Sequence, residues 1–237
     1  MSGPDALRIV VVFPRLLGTY GDAGNATVLA RRAQSFGLAA EIVTVEVGEP
    51  VPTSGDIYLL GGGEDANQLA AGRGIEADGG LVTAIDAGAV VLAVCAGFQL
   101  LGEPGLGILD VSTQPMAARA VGNVRARVCD LDPPLADPVL IGFENHRGGT
   151  VLGPNARPLS RVEAGTGNDV GAGHDGVVSG RIYATYLHGP VLAINPSLAD
   201  HLLGLVAGAL PERPPGSDAA VDRMRAERLA VIARERA

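Results

Sequence analysis

Three apolar runs, LRIVVVF (7–13), IYLL within DIYLLGGGED (56–65) and VVLAV leading into Cys95, constrain the fold more than anything else in the chain. None alternates polar and apolar residues, so each reads as a strand covered on both faces, as in a parallel sheet under two helical layers. AEIVTVEV (40–47) reads as a further strand. Helical stretches fill the intervals, one ending near Phe36 with Gly37 as C-cap and a short one over 79–88. Strands alternating with helices predict a doubly wound α/β sheet, whose ligand sites lie beyond the carboxyl ends of the strands. Hydrophobic residues make up 47% of the 237, but aromatics only 3% and Trp is absent, so the core must be aliphatic.

Beyond residue 120 the pattern shortens to VRARVCDL, VLIGFEN and RIYATYLHG, predicting antiparallel edge strands of the same domain. Residues 156–180 are glycine-rich and read as a mobile or hairpin-like loop. PSLADHLLGLVAGAL (196–210) and SDAAVDRMRAERLAVIARERA (217–237) read as helices. In the second, Ser217 or Asp218 is a candidate N-cap, and Val221, Met224, Leu229 and Ile232 form an apolar stripe. The expected division is a domain over 1–210 and a terminal helix over 211–237, which faces a partner or packs on its own domain.

Composition excludes several functions. The net charge of −8 disfavours nucleic acid or an anionic membrane surface. Two cysteines, Cys95 and Cys129, make neither a disulfide framework nor a CxxC metal pair, and Cys129 reads as structural. No GxxxxGK[ST] or GxGxxG motif is present, so nucleotide binding is set aside. The apolar run at 7–13 is too short to span a bilayer. These features predict a soluble cytoplasmic protein.

In VVLAVCAGFQLLG (90–102), a buried strand stops at Cys95, and a small residue, a glycine and a helical segment follow at once. That pattern suits a nucleophile elbow, with Ala93 and Gly97 at the two flanking positions, and equally a buried core thiol. A nucleophilic thiol needs a base. His174 and His201 read as structural, whereas His188 follows the strand-like IYATYL and can meet Cys95 across the sheet's edge. Oxyanion donors are available from the Ala96 amide and from the backbone of Gly62 and Gly63, although GGGED can also be only a tight turn.

Taken in order, TYGDAGN (19–25), LGGGEDANQ (60–68), CAGFQLLG (95–102), GLGILD (105–110), ARAVGN (118–123), GFENH (142–146) and TYLHGP (185–190) resemble the class I glutamine amidotransferase family. Within it the chain resembles the cobyric-acid-synthase-like branch, and more narrowly the glutaminase subunits of lipid II isoglutaminyl synthases. The resemblance covers about residues 17–200 and implies a flavodoxin-like, mostly parallel sheet flanked by helices. It implies that Cys95 attacks L-glutamine, with His188 as acid/base and Ala96 and Gly62 or Gly63 as the oxyanion hole. It further implies that Arg119 grips the substrate α-carboxylate, that Gln99 lines the pocket, and that no metal or cofactor is needed in this chain. ATP and Mg²⁺ would belong to a MurT-like Mur ligase partner in a heterodimer, which uses the released ammonia to amidate the D-glutamate of lipid II. A synthetase for a corrinoid precursor and a non-catalytic scaffold are the rival readings. Two departures stand out. His188 is followed by Gly189 and Pro190 where many relatives place a glutamate two residues on, so the orienting carboxylate is expected to be absent or to come from another chain. HRGGT also differs from the HGGRT of some relatives, which leaves Arg147 without a role, while Asn145 and His146 are expected to shape the loop.

Overall fold

The apolar runs do become the buried strands. In a computed structural model, which describes residues 6–235, the elements are β1 (Leu7–Val12), α1 (Gly24–Ser35), β2 (Ala40–Val45), β3 (Ile57–Leu60), α2 (Asp65–Asp78), α3 (Gly80–Asp86), β4 (Val90–Val94) and α4 (Ala96–Leu101). They continue with β5 (Val111–Val128), β6 (Val139–Leu152), β7 (Ser160–Ala164), β8 (His174–Asp175), β9 (Val177–Ser179), β10 (Ile182–Thr185), α5 (Val191–Ile194), α6 (Pro196–Ala207) and α7 (Ala219–Glu235). The last two residues of the expected terminal helix lie outside the described residues.

Six strands form one sheet in the order β2-β1-β3-β4-β10-β9. All neighbours are parallel except the β10–β9 edge pair. All residues of β3, β4 and β10 are buried, which explains the missing alternation: helices cover one face and the other is likewise closed. Five parallel strands, β2, β1, β3, β4 and β10, therefore deliver their carboxyl ends to one edge.

The later strands divide differently from the expectation. RIYATYL is not part of an antiparallel edge: β10 pairs parallel with β4, and only β9 is an antiparallel edge strand. The rest form a second, wholly antiparallel sheet, β6-β5-β7-β8. Its long ribbon of β5 and β6 rises over the site edge, and the backbones of Phe143 and His188 exchange two hydrogen bonds, at 2.8 and 3.2 Å. Of the two readings of the glycine-rich stretch, the hairpin-like one holds, since β7 pairs antiparallel with β8. The stretch carries β7, β8 and β9 and is closed by Asn168, whose buried side chain bonds the backbone of Gly176 through both its oxygen and its nitrogen.

The terminal helix packs on its own domain, near α5, β5 and β6. Its buried residues are Ile232, as the apolar stripe foretold, and Arg225, which it did not. The Arg225 guanidinium reaches Asp137, Asn195 and two backbone carbonyls, so a charge is buried only because every side of it is paired. Met224, in the same expected stripe, is exposed instead. No helix among the described residues is long and apolar enough to cross a membrane.

Candidate active site

Cys95 stands between the end of β4 and the start of α4 with φ 52° and ψ −104°. A non-glycine residue rarely holds such a backbone, which costs on the order of 1–3 kcal/mol and persists only where the surroundings impose it. Here they do: Ala93, Val94 and Ala96 are buried and the Cys95 amide is bonded to Thr185 on β10. The core-thiol reading fails to account for this strained backbone. The thiol itself is covered, and burial pushes it up to about 12; the negative charge of Asp22 adds to the rise, while the Ala96 amide and the Arg119 charge oppose it. Unaided, it is a neutral thiol at pH 7.

His188 lies beyond β10. Its Nδ1 is 2.9 Å from Asp22 Oδ2, with both groups buried, and its Nε2 has no hydrogen-bond partner among the described residues. That bond fixes the neutral tautomer with the proton on Nδ1, so Nε2 is free to accept one. Gly62 shows how close the three groups are. A Cβ placed on it would lie 2.7 Å from His188 Cε1, 3.1 Å from Asp22 Oδ2 and 3.6 Å from Cys95 Cβ. Only glycine leaves room for the base beside the thiol at this point.

Asp22 corrects the expectation that the orienting carboxylate is absent or comes from another chain. It comes from the loop after β1, within TYGDAGN, far in sequence from His188 but buried against it. The motif was visible in the sequence, yet a carboxylate in a glycine-flanked loop carries no sign of which histidine it meets. The loop is locked in place by Asn25, whose Oδ1 accepts from the Leu192 amide just past the His188 segment. Asp22 Oδ2 also accepts from the Gly62 amide at 2.9 Å. Of the two glycines the sequence left open, Gly62 has its N–H already engaged, which favours Gly63 beside Ala96 as a candidate oxyanion donor.

Arg119 falls where the β5–β6 register breaks, between Pro115 and Ala120. Such a bulge lifts a side chain out of the ladder. Its guanidinium bonds Asn145 Oδ1 at 2.9 Å, Asn145 donates to the Tyr20 hydroxyl at 2.8 Å, and the Tyr20 ring lies 4.6 Å from the His188 ring. Gln99, one turn along α4, lines an open cavity of about 610 Å³ together with Gln68, Leu69, Arg147 and Gly148. Arg147, left without a role by sequence, thus faces the same cavity as Gln99. Cys95 does not line that cavity. His188 instead borders a second one, about 330 Å³, against Tyr20, Phe143, Met224 and Arg228.

The other expected residues have structural surroundings. His201 bonds the Tyr183 hydroxyl at 2.8 Å, and burial lowers its basicity. His174 bonds the Ala172 carbonyl at 2.8 Å, and His146 stacks on Tyr186 with ring centroids 3.8 Å apart. Both cysteines are free thiols, Cys129 at the end of β5.

A buried thiol on a strained strand-to-helix turn, beside an imidazole held by a carboxylate, is an arrangement for acyl transfer through a thioester. Comparison with known proteins names the lineage. The CobB/CobQ-like glutamine amidotransferase domain matches residues 8–196. The chain belongs to that family. It is 32% identical over 213 residues to the lipid II isoglutaminyl synthase (glutamine-hydrolyzing) subunit GatD of Streptococcus pneumoniae, covering 84% of this chain and 80% of that protein. It is 31% identical over 207 residues to a cobyric acid synthase of Sphingopyxis alaskensis, covering 79% of this chain but 39% of that protein. A crystal structure of a glutamine amidotransferase from Thermotoga maritima shares the fold, with TM-score 0.57 at 15% identity, over 95% of this chain and 94% of that one. Members of this amidotransferase family hydrolyse glutamine for amide transfer, and the strained cysteine sits where such chemistry needs it.

Proposed function

We propose that this chain is the glutaminase subunit of a lipid II isoglutaminyl synthase. His188 Nε2 takes the Cys95 proton, and the thiolate attacks the amide carbon of L-glutamine. The oxyanion that forms is met by the amides of Ala96 and Gly63. His188 returns the proton to the nitrogen, the C–N bond breaks and ammonia leaves. Water then adds to the glutamyl thioester, its proton going to His188 and on to the departing Cys95 sulfur, and glutamate is released. Asp22 holds the imidazole in the tautomer this requires and favours the imidazolium between the steps. Arg119 grips the α-carboxylate bidentately, and Gln99 lines the side-chain pocket.

The observation that carries the mechanism is the Asp22–His188 bond beside a strained, covered Cys95. It supports catalysis over a scaffold role, since a scaffold has no need of a buried carboxylate–imidazole pair. Support for lipid II as the final acceptor is the likeness to a GatD subunit along 80% of that protein's length. The ammonia would pass to a MurT-like Mur ligase that binds ATP and Mg²⁺, with the exposed side of α7 available to that partner. A corrinoid-amidating system is the second reading, favoured by the cobyric acid synthase likeness.

The test is glutamate release from L-glutamine by the chain alone and with a MurT-like ligase, beside Cys95→Ala. Turnover lost in the variant supports the glutaminase. Glutamine-dependent amidation of lipid II, and not of a corrinoid acid, supports the first acceptor. Silence of wild type in the complex would return the scaffold reading.

A further inference from the structure

TYLHGP contributes His188 to the mechanism, but the two residues that open it, Thr185 and Tyr186, have no part in the reaction as described. Both are fully buried. We propose that Tyr186 is a positioning residue for glutamine binding: its hydroxyl holds Gln99 in the pocket and ties it to the segment that carries His188. This rests on the glutaminase reading.

The Tyr186 hydroxyl sits 3.1 Å from Gln99 Nε2, which donates to it, and 2.6 Å from Thr150 Oγ1. Thr150 in turn lies 2.8 Å from Thr113 Oγ1 on the facing strand. Burial raises the phenol above its ordinary range, so it stays a neutral hydroxyl with one proton to give and lone pairs to accept. Thr150 alone would satisfy a buried tyrosine hydroxyl. The bond to Gln99 goes further, because Gln99 is partly exposed in the cavity and would otherwise be free to turn through several rotamers. On its other side Gln99 Nε2 lies against Gly148, where any Cβ would collide with it. Tyr186 and Gly148 thus hold the amide between them.

The ring is held as firmly as the hydroxyl. His146 stacks on it with an interplanar angle of 16°, and Phe98 of α4 packs against it at 5.3 Å. The backbone is anchored by Asp175 on β8, which accepts the Tyr186 amide at 3.1 Å and the Thr185 hydroxyl at 2.5 Å. Thr185 Oγ1 then accepts the Leu187 amide at 3.0 Å, one residue before His188. One short segment therefore sets both the base and the pocket wall.

The experiment is steady-state glutaminase kinetics on Tyr186→Phe, Gln99→Ala and the double variant, in the form of the enzyme that turns over glutamine. The phenylalanine keeps the ring and its packing. Tyr186→Phe should raise KM for glutamine about ten-fold, the scale of one lost hydrogen bond, with kcat within about three-fold of wild type. Gln99→Ala should raise KM at least as much, and adding Tyr186→Phe to it should change KM less than two-fold, since the two act as one unit. An unchanged KM in Tyr186→Phe overturns the inference. So does an equal further rise in the Gln99→Ala background, which would make Tyr186 a packing residue alone. A wild type that releases no glutamate from glutamine is a different result: it overturns the glutaminase reading and this inference with it.

Discussion

Asp22→Asn is the sharpest probe of the site. Asp22 Oδ2 meets both the Gly62 amide and His188 Nδ1. In the isosteric amide the oxygen takes that place, since a nitrogen there would face two donors, so both hydrogen bonds and the tautomer are kept. What is lost is the negative charge that stabilises the imidazolium between the steps. A hydrogen bond to a charged group contributes about 1.5–3 kcal/mol, and opposite charges about 4 Å apart at an effective dielectric of about 20 attract by about 4 kcal/mol. These overlap rather than add. One effect runs the other way: the Asp22 charge helps raise Cys95, so its loss eases thiolate formation. A net loss of about 3–4 kcal/mol of transition-state stabilisation is expected, or about 10²–10³ in kcat. Asp22 lines neither cavity, so KM should hold within about three-fold. The assay is glutamate release under saturating glutamine, with a melting curve to show that the fold persists. A variant retaining a third or more of wild-type kcat would refute the claim that the Asp22 charge supports the base.

Further consequences can be checked separately. Gly62→Ala puts a methyl 2.7 Å from His188 Cε1 and should cut kcat by about a hundred-fold or more while the melting temperature stays within a few degrees; near-normal turnover would show that the base is not where the structure has it. With its thiol pushed up to about 12, Cys95 in the substrate-free chain should be alkylated by iodoacetamide at pH 8 at least about ten-fold more slowly than an unperturbed cysteine of pKa about 8.5. Mass spectrometry of the modified peptide gives that rate, and free-thiol reactivity would sink the prediction. Asp175 is raised to about 6, chiefly by burial against the opposing bonds from Thr185 and Tyr186. The folded state thus binds more protons than the unfolded one between about pH 4 and 6, and the stability this group contributes falls as pH rises through that window. Asp175→Asn should flatten that part of the stability–pH curve, read from urea midpoints at pH 4, 5, 6 and 7; parallel curves for the two proteins would contradict it.

Much of the architecture was legible because burial on both faces of a sheet leaves a direct imprint on sequence. LRIVVVF, IYLL and VVLAV read as covered strands, and the abrupt stop at Cys95 reads as a strand end. The histidine was legible in part: IYATYL reads as strand-like and puts His188 past its end, but the strand was expected in an antiparallel edge and instead pairs parallel with β4. What failed was partnering. The glycine-rich stretch 156–180 looked like a loop because its three strands are 2–5 residues long and are held by Asn168 and Asp175, whose bonds have no periodic signature. Arg225 looked like one more solvated charge on a terminal helix, and its burial depends on Asp137 and Asn195 elsewhere in the chain.

By itself, then, the sequence determined which segments are strands, that the sheet is mainly parallel, and that Cys95 and His188 stand at strand ends. Those follow from local facts, the run of apolar residues and where it stops. Only the tertiary structure decided that Asp22 is the carboxylate behind His188, that Gly62 donates to it rather than to an oxyanion, and that Tyr186 reaches Gln99. The carboxylate–imidazole bond joins residues 166 positions apart, and a hydrogen bond with a reach of about 3 Å is set by where two backbones cross, which no spacing along the chain encodes.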